Sequence, residues 1–353
     1  MAGIILVLTL VIGLPCVRFG IFPKAPAGGG KIVRIFEFKE GCTLKKIAEE
    51  LEHSKIISSG DLFILYARLK GADGKIKAGA YLFNDGMTPS TILRKLLAGD
   101  VYIRRFAVPE GYSIYQVAEL LERRGFLGKG AFLEQCSNRA LLSELGIEAS
   151  SVEGYLYPCT YDLSPQITAA DLIRMMVAQF RKHYSRELAA RAKTMRMNSG
   201  EILTLASIVE KEAKVSGEKP LIASVFLNRL RKKMPLQSDP TAVYKIRAFA
   251  GRISKKDIMT DSPYNTYKIK GLPPGPIGNP GKDAIAAVLN PARTKYLYFV
   301  AKMDGTHHFS ATLAEHNNAV TKYLRSGGVP RESVGGPGLE YRNNFPVIAP
   351  HGG

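Results

Sequence analysis

Glu210 and Glu212 stand two residues apart near the end of an apolar helical stretch. Ile202, Leu205, Ala206, Val209 and Ala213 recur at helical spacing behind Ser199, a good N-cap, which predicts an amphipathic helix over 200–214. At about 100° per residue, Glu210 falls roughly 80° to one side of the apolar stripe and Glu212 roughly 80° to the other. Lys211 then points away from the core. A carboxyl on such a border is partly desolvated, which favours its neutral form and suits it to donating a proton. Two solvated helix charges, with no buried ion pair, fit the same spacing, and periodicity does not choose between the two.

Other groupings carry less chemistry. Ser216-Gly-Glu-Lys219 fits the S-x-x-K pattern of a serine nucleophile, but neither K-T-G nor S-D-N accompanies it. His307 and His308 are adjacent on an expected strand and cannot face one point, and His316 falls on the following helix. No H-E-x-x-H occurs, so no metal site is expected, and no cofactor is implied. Cys16, Cys42, Cys136 and Cys159 form no CxxC pair, which excludes zinc-ribbon and thioredoxin-like chemistry. They read as small hydrophobic residues with at most one disulfide.

The elements that must position these groups indicate an α+β fold. Leu172, Ile173, Met176 and Phe180 mark a helix over 168–184, and Ile222, Val225, Phe226 and Leu230 mark another that Pro220 opens. Strands are expected at 295–301 and 307–310, with a closing helix over 312–323. Between them run turn-rich stretches at 235–240, 262–267 and 271–280. Loops that long inside a domain are usually functional, and their Tyr and Asn content agrees.

The front half repeats itself. Phe38-Lys-Glu-Gly-Cys-Thr-Leu44 is echoed by Val108-Pro-Glu-Gly-Tyr-Ser-Ile114, and Ile47, Ala48, Glu49 and Leu51 by Val117, Ala118, Glu119 and Leu121. Gly79-Ala-Tyr-Leu82 pairs with Gly154-Tyr-Leu-Tyr157. Each unit reads as strand, Thr- or Ser-capped helix, second helix and closing strand, with opening strands at 32–38 and 101–108. That order resembles the LysM glycan-binding module.

The formal net charge of +18 favours anionic surroundings: nucleic acid, a membrane face or acidic wall polymers. The densest cluster is short (Arg229, Arg231, Lys232, Lys233), and no nucleic-acid motif occurs, so no nucleic-acid partner is expected. Residues 1–17 carry no charged side chain, which is close to the lower limit of about 17 residues for a membrane span. A Pro/Gly-rich stretch follows. The expected organisation is a membrane anchor at 1–22, a linker at 23–31, a LysM-like module at 32–100, a catalytic region at 101–326 whose first part repeats the module, and a flexible Gly/Pro tail at 327–353.

Several longer motifs occur in order: Val108-Pro-Glu-Gly111, Glu153-Gly-Tyr-Leu-Tyr-Pro158, Leu205-Ala-Ser-Ile-Val-Glu-Lys-Glu212, Ala223-Ser-Val-Phe-Leu-Asn-Arg-Leu230, Leu236-Gln-Ser-Asp-Pro-Thr241, Ser262-Pro-Tyr-Asn-Thr-Tyr267, Gly271-Leu-Pro-Pro274 and Pro276-Ile-Gly-Asn-Pro280. Together they resemble the endolytic murein transglycosylases of the YceG-like family. The resemblance implies that Glu210 is the catalytic acid of a lyase acting on peptidoglycan glycan strands. It also implies a single anchor in the cell (inner) membrane, a periplasmic or otherwise extracytoplasmic body and wall-synthesis enzymes as partners. Asp239 is placed to assist. Tyr264, Asn265, Tyr267 and Asn279 offer the aromatic faces and amides that hold sugars. Glu153 and Gln237, in the same motifs, are further candidate substrate contacts.

Overall fold

The computed structural model describes residues 14–184, 186–245, 253–302 and 304–325. Positions 1–13 of the expected anchor and the whole expected tail lie outside them. Among the described residues no helix is long and apolar enough to cross a membrane. The chain forms two compact units. One comprises the described residues up to Phe106 with Asp162–Gln166, and the other Ala107–Tyr161 with the described residues from Ile167 onward.

The first unit opens with helix α1 (Leu14–Ile21) and a 3-10 turn at Phe22–Lys24. Strand β1 (Val33–Phe38), helices α2 (Leu44–His53) and α3 (Gly60–Leu69), and strand β2 (Gly79–Asn84) follow. β1 and β2 pair antiparallel from Val33↔Asn84 to Phe38↔Gly79. The caps are local. Thr43 Oγ1 accepts from Lys46 N at 3.3 Å, and Ser59 Oγ accepts from Leu62 N at 3.4 Å. Helix α4 (Pro89–Ala98) has Pro at its first position and ends at left-handed Gly99. Phe36, Phe38, Tyr81 and Phe83 line one face of the hairpin and pack on Ile47, Leu51, Phe63 and Leu96. Phe22 is 4% exposed and belongs to this core, so the last residue of the expected anchor is part of the folded unit.

Strand β3 (Arg104–Ala107) opens the second repeat and pairs with β4 (Thr160–Leu163). Helices α5 (Ile114–Arg123), α6 (Lys129–Cys136) and α7 (Arg139–Glu144) lie between them in sequence. The closing strand expected at 154–157 is displaced to β4. Gly154 adopts a left-handed φ of +87°, and a side chain there would collide with Pro276, so this stretch turns instead of extending.

The rest of the second unit is built on helices α8 (Ala169–His183), α9 (Arg186–Thr194), α10 (Ser199–Glu212) and α11 (Lys219–Arg231). The short helices α12 (Asp239–Val243) and α13 (Lys255–Met259), helix α14 (Lys282–Leu289), the hairpin β5 (Tyr298–Ala301) with β6 (His307–Ser310), and α15 (Leu313–Val320) complete it. Cys42, Cys136 and Cys159 are free.

Helix α10 differs from its expected amphipathic form. Asn198, not Ser199, caps it, in a reciprocal box with Glu201. Ile202 through Val209 are all buried, because α9, α11, α12 and α14 surround the helix. A helix covered on every side has no solvent face, so its charged residues are confined to its ends, while Thr204 and Ser207, buried in its middle, donate to the backbone carbonyls of Gly200 and Thr204.

Candidate active site

The last turn of α10 brings Glu210, Lys211 and Glu212 out of the core into a cleft of about 210 Å³, also walled by Glu110, Gln116, Asp239 and His307. Glu210 Oε1 lies 2.9 Å from Lys219 Nζ, and the two side chains are 8% and 6% exposed. Glu210 Oε2 accepts the Gly281 N–H at 2.9 Å. The border position on the helix did not require a buried ion pair, yet Glu210 has one. Lys219, at the start of α11, supplies a pair that helical periodicity within α10 does not encode.

The same ammonium reaches Glu110 Oε2 at 3.6 Å. Burial raises the Glu110 carboxyl above its ordinary range, and the charge of Glu210 adds to the effect. A Cβ at Gly281 would fall 2.1 Å from the Glu110 carboxyl, so any side chain there would displace that carboxyl. Lys211 does not point away. Its Nζ donates to Gln116 Oε1 at 3.2 Å, and burial pulls it down to about 8.

Glu212, on the other flank, accepts from Ser238 Oγ at 2.5 Å. Burial, then the charge of Asp239, pushes it up to about 8, so it is largely neutral at neutral pH. Asp239 is itself raised by burial and accepts from Tyr267 OH at 2.5 Å. His307 Nδ1 lies 2.6 Å from Glu218 Oε2, and His307 N donates to Glu218 Oε1 at 2.9 Å, a satisfied histidine at the cleft's edge.

The remaining expected contacts are placed differently. Glu153 is 2% exposed, and its carboxylate accepts from Ile114 N, Tyr244 OH and Asn279 Nδ2 at 3.1, 2.7 and 3.1 Å. Burial pushes it up to about 7. Asn279 is fully buried. Its Oδ1 accepts from Gly154 N and Leu156 N, both at 2.9 Å, and its Nδ2 also donates to Tyr112 O at 2.8 Å. Asn265, also fully buried, donates to Ile258 O and Thr260 O and accepts from Tyr267 N. These three brace loops through buried polar groups satisfied by the protein, and none is open to a sugar. Tyr264 packs against Tyr244 with ring centroids 4.7 Å apart. Gln237 adopts a left-handed φ of +51°, and its Oε1 accepts from Arg229 Nη1 at 3.3 Å. Of the expected site residues, Glu210 and Asp239 wall the cleft, and Tyr267 is tied to it through Asp239.

Sequence reasoning passed over Glu110, Gln116 and Lys219. Glu110 lies in the Val108–Gly111 motif and Lys219 closes the S-x-x-K tetrapeptide, but the spacing of neither marks it as a partner of Glu210.

Comparison with known proteins agrees with the motifs. The endolytic murein transglycosylase of Bacillus subtilis (strain 168) is 36% identical over 302 residues, covering 81% of this chain and 83% of that protein. The endolytic murein transglycosylase of Streptococcus pneumoniae serotype 2 is 32% identical over 319 residues, covering 81% of this chain and 58% of that protein. A crystal structure of a yceG-like protein from Listeria monocytogenes is similar with a TM-score of 0.57 and 32% identity, over 81% of this chain and 99% of that one. Residues 36–322 match the YceG-like family, and the chain belongs to it.

Proposed function

We propose that this protein is an endolytic lytic transglycosylase that cuts peptidoglycan glycan strands between N-acetylmuramic acid and N-acetylglucosamine, leaving 1,6-anhydro ends. The observation that carries the reading is Glu210. It is a carboxylate at the end of a buried helix, walled into a cleft and held by one ammonium and one backbone amide. The names of the relatives point to the same chemistry.

One carboxyl group acts twice. Protonated Glu210 gives its proton to the glycosidic oxygen as the bond to the muramic C1 breaks. Positive charge develops at C1, and the substrate's own acetamido oxygen traps it. Glu210, now a carboxylate, takes the proton of the muramic C6 hydroxyl as the C6 oxygen bonds to C1 and displaces the acetamido oxygen, whose bond to C1 breaks. The enzyme returns to its starting state and no water is consumed.

Lys219 has two carboxylates within reach of its ammonium, Glu210 at 2.9 Å and Glu110 at 3.6 Å. Drawn towards Glu110, the ammonium uncovers Oε1 of Glu210 to the glycosidic oxygen. The Gly281 N–H holds Oε2 throughout, so the carboxyl stays oriented as its charge changes.

We infer further that the apolar segment ahead of Phe22 anchors the chain in the cell membrane with its body on the extracytoplasmic side. The β1–α2–α3–β2 unit and its repeat hold glycan, and cleavage ends strand elongation beside wall-synthesis enzymes. The apolar run, the Pro/Gly linker and the strand–helix–helix–strand order support this reading.

The test is mass spectrometry of glycan fragments released by the purified protein. Fragments one water lighter than reducing ends are expected. Glu210→Gln keeps an oxygen for Gly281 N–H but cannot cycle a proton. Cleavage should fall by about 10²–10⁴-fold or more. Ordinary reducing ends, or substantial activity in Glu210→Gln, would refute the mechanism.

A further inference from the structure

A second cleft, of about 500 Å³, shares no residue with the one at Glu210. α9, α11 and the segment following α14 wall it, and four cations line it: Arg191, Arg231, Arg293 and Lys295. No carboxylate stands among its walls, and no ion pair joins any of the four to a carboxylate of the described residues. Two guanidiniums are oriented without being neutralised. Arg191 Nε donates to Leu289 O at 3.0 Å, and Arg231 Nη1 donates to Asn228 Oδ1 at 2.9 Å. All four cations are exposed. Buried Ser224 and half-buried Thr294 bring their hydroxyls together at 2.8 Å in the same wall.

Four like charges around one hollow repel each other unless a multiply charged anion joins them. The guanidinium fork matches two oxygens of a phosphoryl group. A concave site also selects against a flat membrane face. The walls hold no aromatic ring on which a nucleobase could stack. We propose that this cleft binds the phosphodiester groups of an acidic polyol-phosphate wall polymer. Such a site gives the surplus of +18 a partner that glycan cleavage does not use. The proposal rests on the extracytoplasmic location inferred above, but not on the chemistry of Glu210.

The experiment titrates the full chain with a synthetic glycerol-phosphate oligomer, at low and high salt. Phosphatidylglycerol vesicles and a single-stranded oligonucleotide serve as separate arms. Three proteins are compared: the unmodified chain, Arg293→Ala/Lys295→Ala, and Lys255→Ala/Lys256→Ala, which removes the same charge from α13. Binding to the oligomer should weaken with salt and fall roughly tenfold or more in Arg293→Ala/Lys295→Ala alone. The other two arms should not distinguish the variants, and cleavage of phosphate-free glycan should be unchanged in all three. No binding by the unmodified chain, an equal loss in the α13 variant, or a loss confined to vesicles or oligonucleotide would overturn the proposal. Because cleavage is read separately, its failure is distinguishable from failure of the Glu210 mechanism.

Discussion

Replacing Glu153 by Gln separates a substrate contact from a buried brace. The folded protein holds the Glu153 proton up to about 7, against an ordinary value of 4.5. The folded state therefore binds more protons than the unfolded chain between those values, and stability falls as pH rises from about 4.5 to about 7. The rise corresponds to roughly 3 kcal/mol, all of it lost above pH 8. Gln is neutral throughout. It keeps an oxygen for Ile114 N–H and Asn279 Nδ2, but its amide takes the place of Oε2, where the Tyr244 hydroxyl can no longer donate, at a cost of about 1 kcal/mol. Glu153→Gln should thus be slightly less stable than the parent at pH 5 and more stable, by about 1–2 kcal/mol, at pH 8. Urea unfolding at several pH values reads this directly, and the groups common to both proteins cancel in the difference. KM for glycan should not move, since the residue is 2% exposed. A pH-independent difference in stability, combined with a raised KM, would refute the argument and return Glu153 to the substrate.

Three further outcomes are expected. Lys219→Met leaves the Glu210 carboxylate walled in with only the Gly281 N–H; unfolding measurements should show a loss of about 3–5 kcal/mol, and Glu210→Gln added to it should restore part of that loss in a double-mutant cycle. Glu212→Gln exchanges one neutral group for another at pH 7, so activity there should remain within a few-fold; above pH 8 the variant should outlast the parent, whose stability falls as pH rises from about 4.5 to about 8. Deleting residues 1–21 should leave a folded protein, whereas Phe22→Ala in that truncated chain should cost about 3–5 kcal/mol of the first unit's stability; equal thermal unfolding of the two would show that Phe22 is not core.

Much of the local structure was legible in the residues themselves. Thr43, Ser113 and Thr168 announce helix starts, and each side chain accepts the backbone N–H its position predicts. The alternation of Phe36 and Phe38 indicates the buried face of β1. These are short-range rules, and the partner lies within a few residues. The motifs likewise placed the chain in its family and singled out Glu210. What periodicity could not supply was the environment of α10. A helix enclosed by four others loses the distinction between faces, so Lys211 turned into the cleft where a solvated position had been expected. Nor could spacing tell that Asn265, Asn279 and Glu153, polar residues in loops, would be fully desolvated, with Asn265 bound to its own loop's backbone and Asn279 and Glu153 bound to each other and to distant backbone groups. Those bonds span up to 167 residues, as from Asn279 to Tyr112, and exist only once distant loops are brought together. Lys219 lies nine residues beyond Glu210 and on another helix, so only the turn between α10 and α11 decides that its ammonium meets that carboxylate.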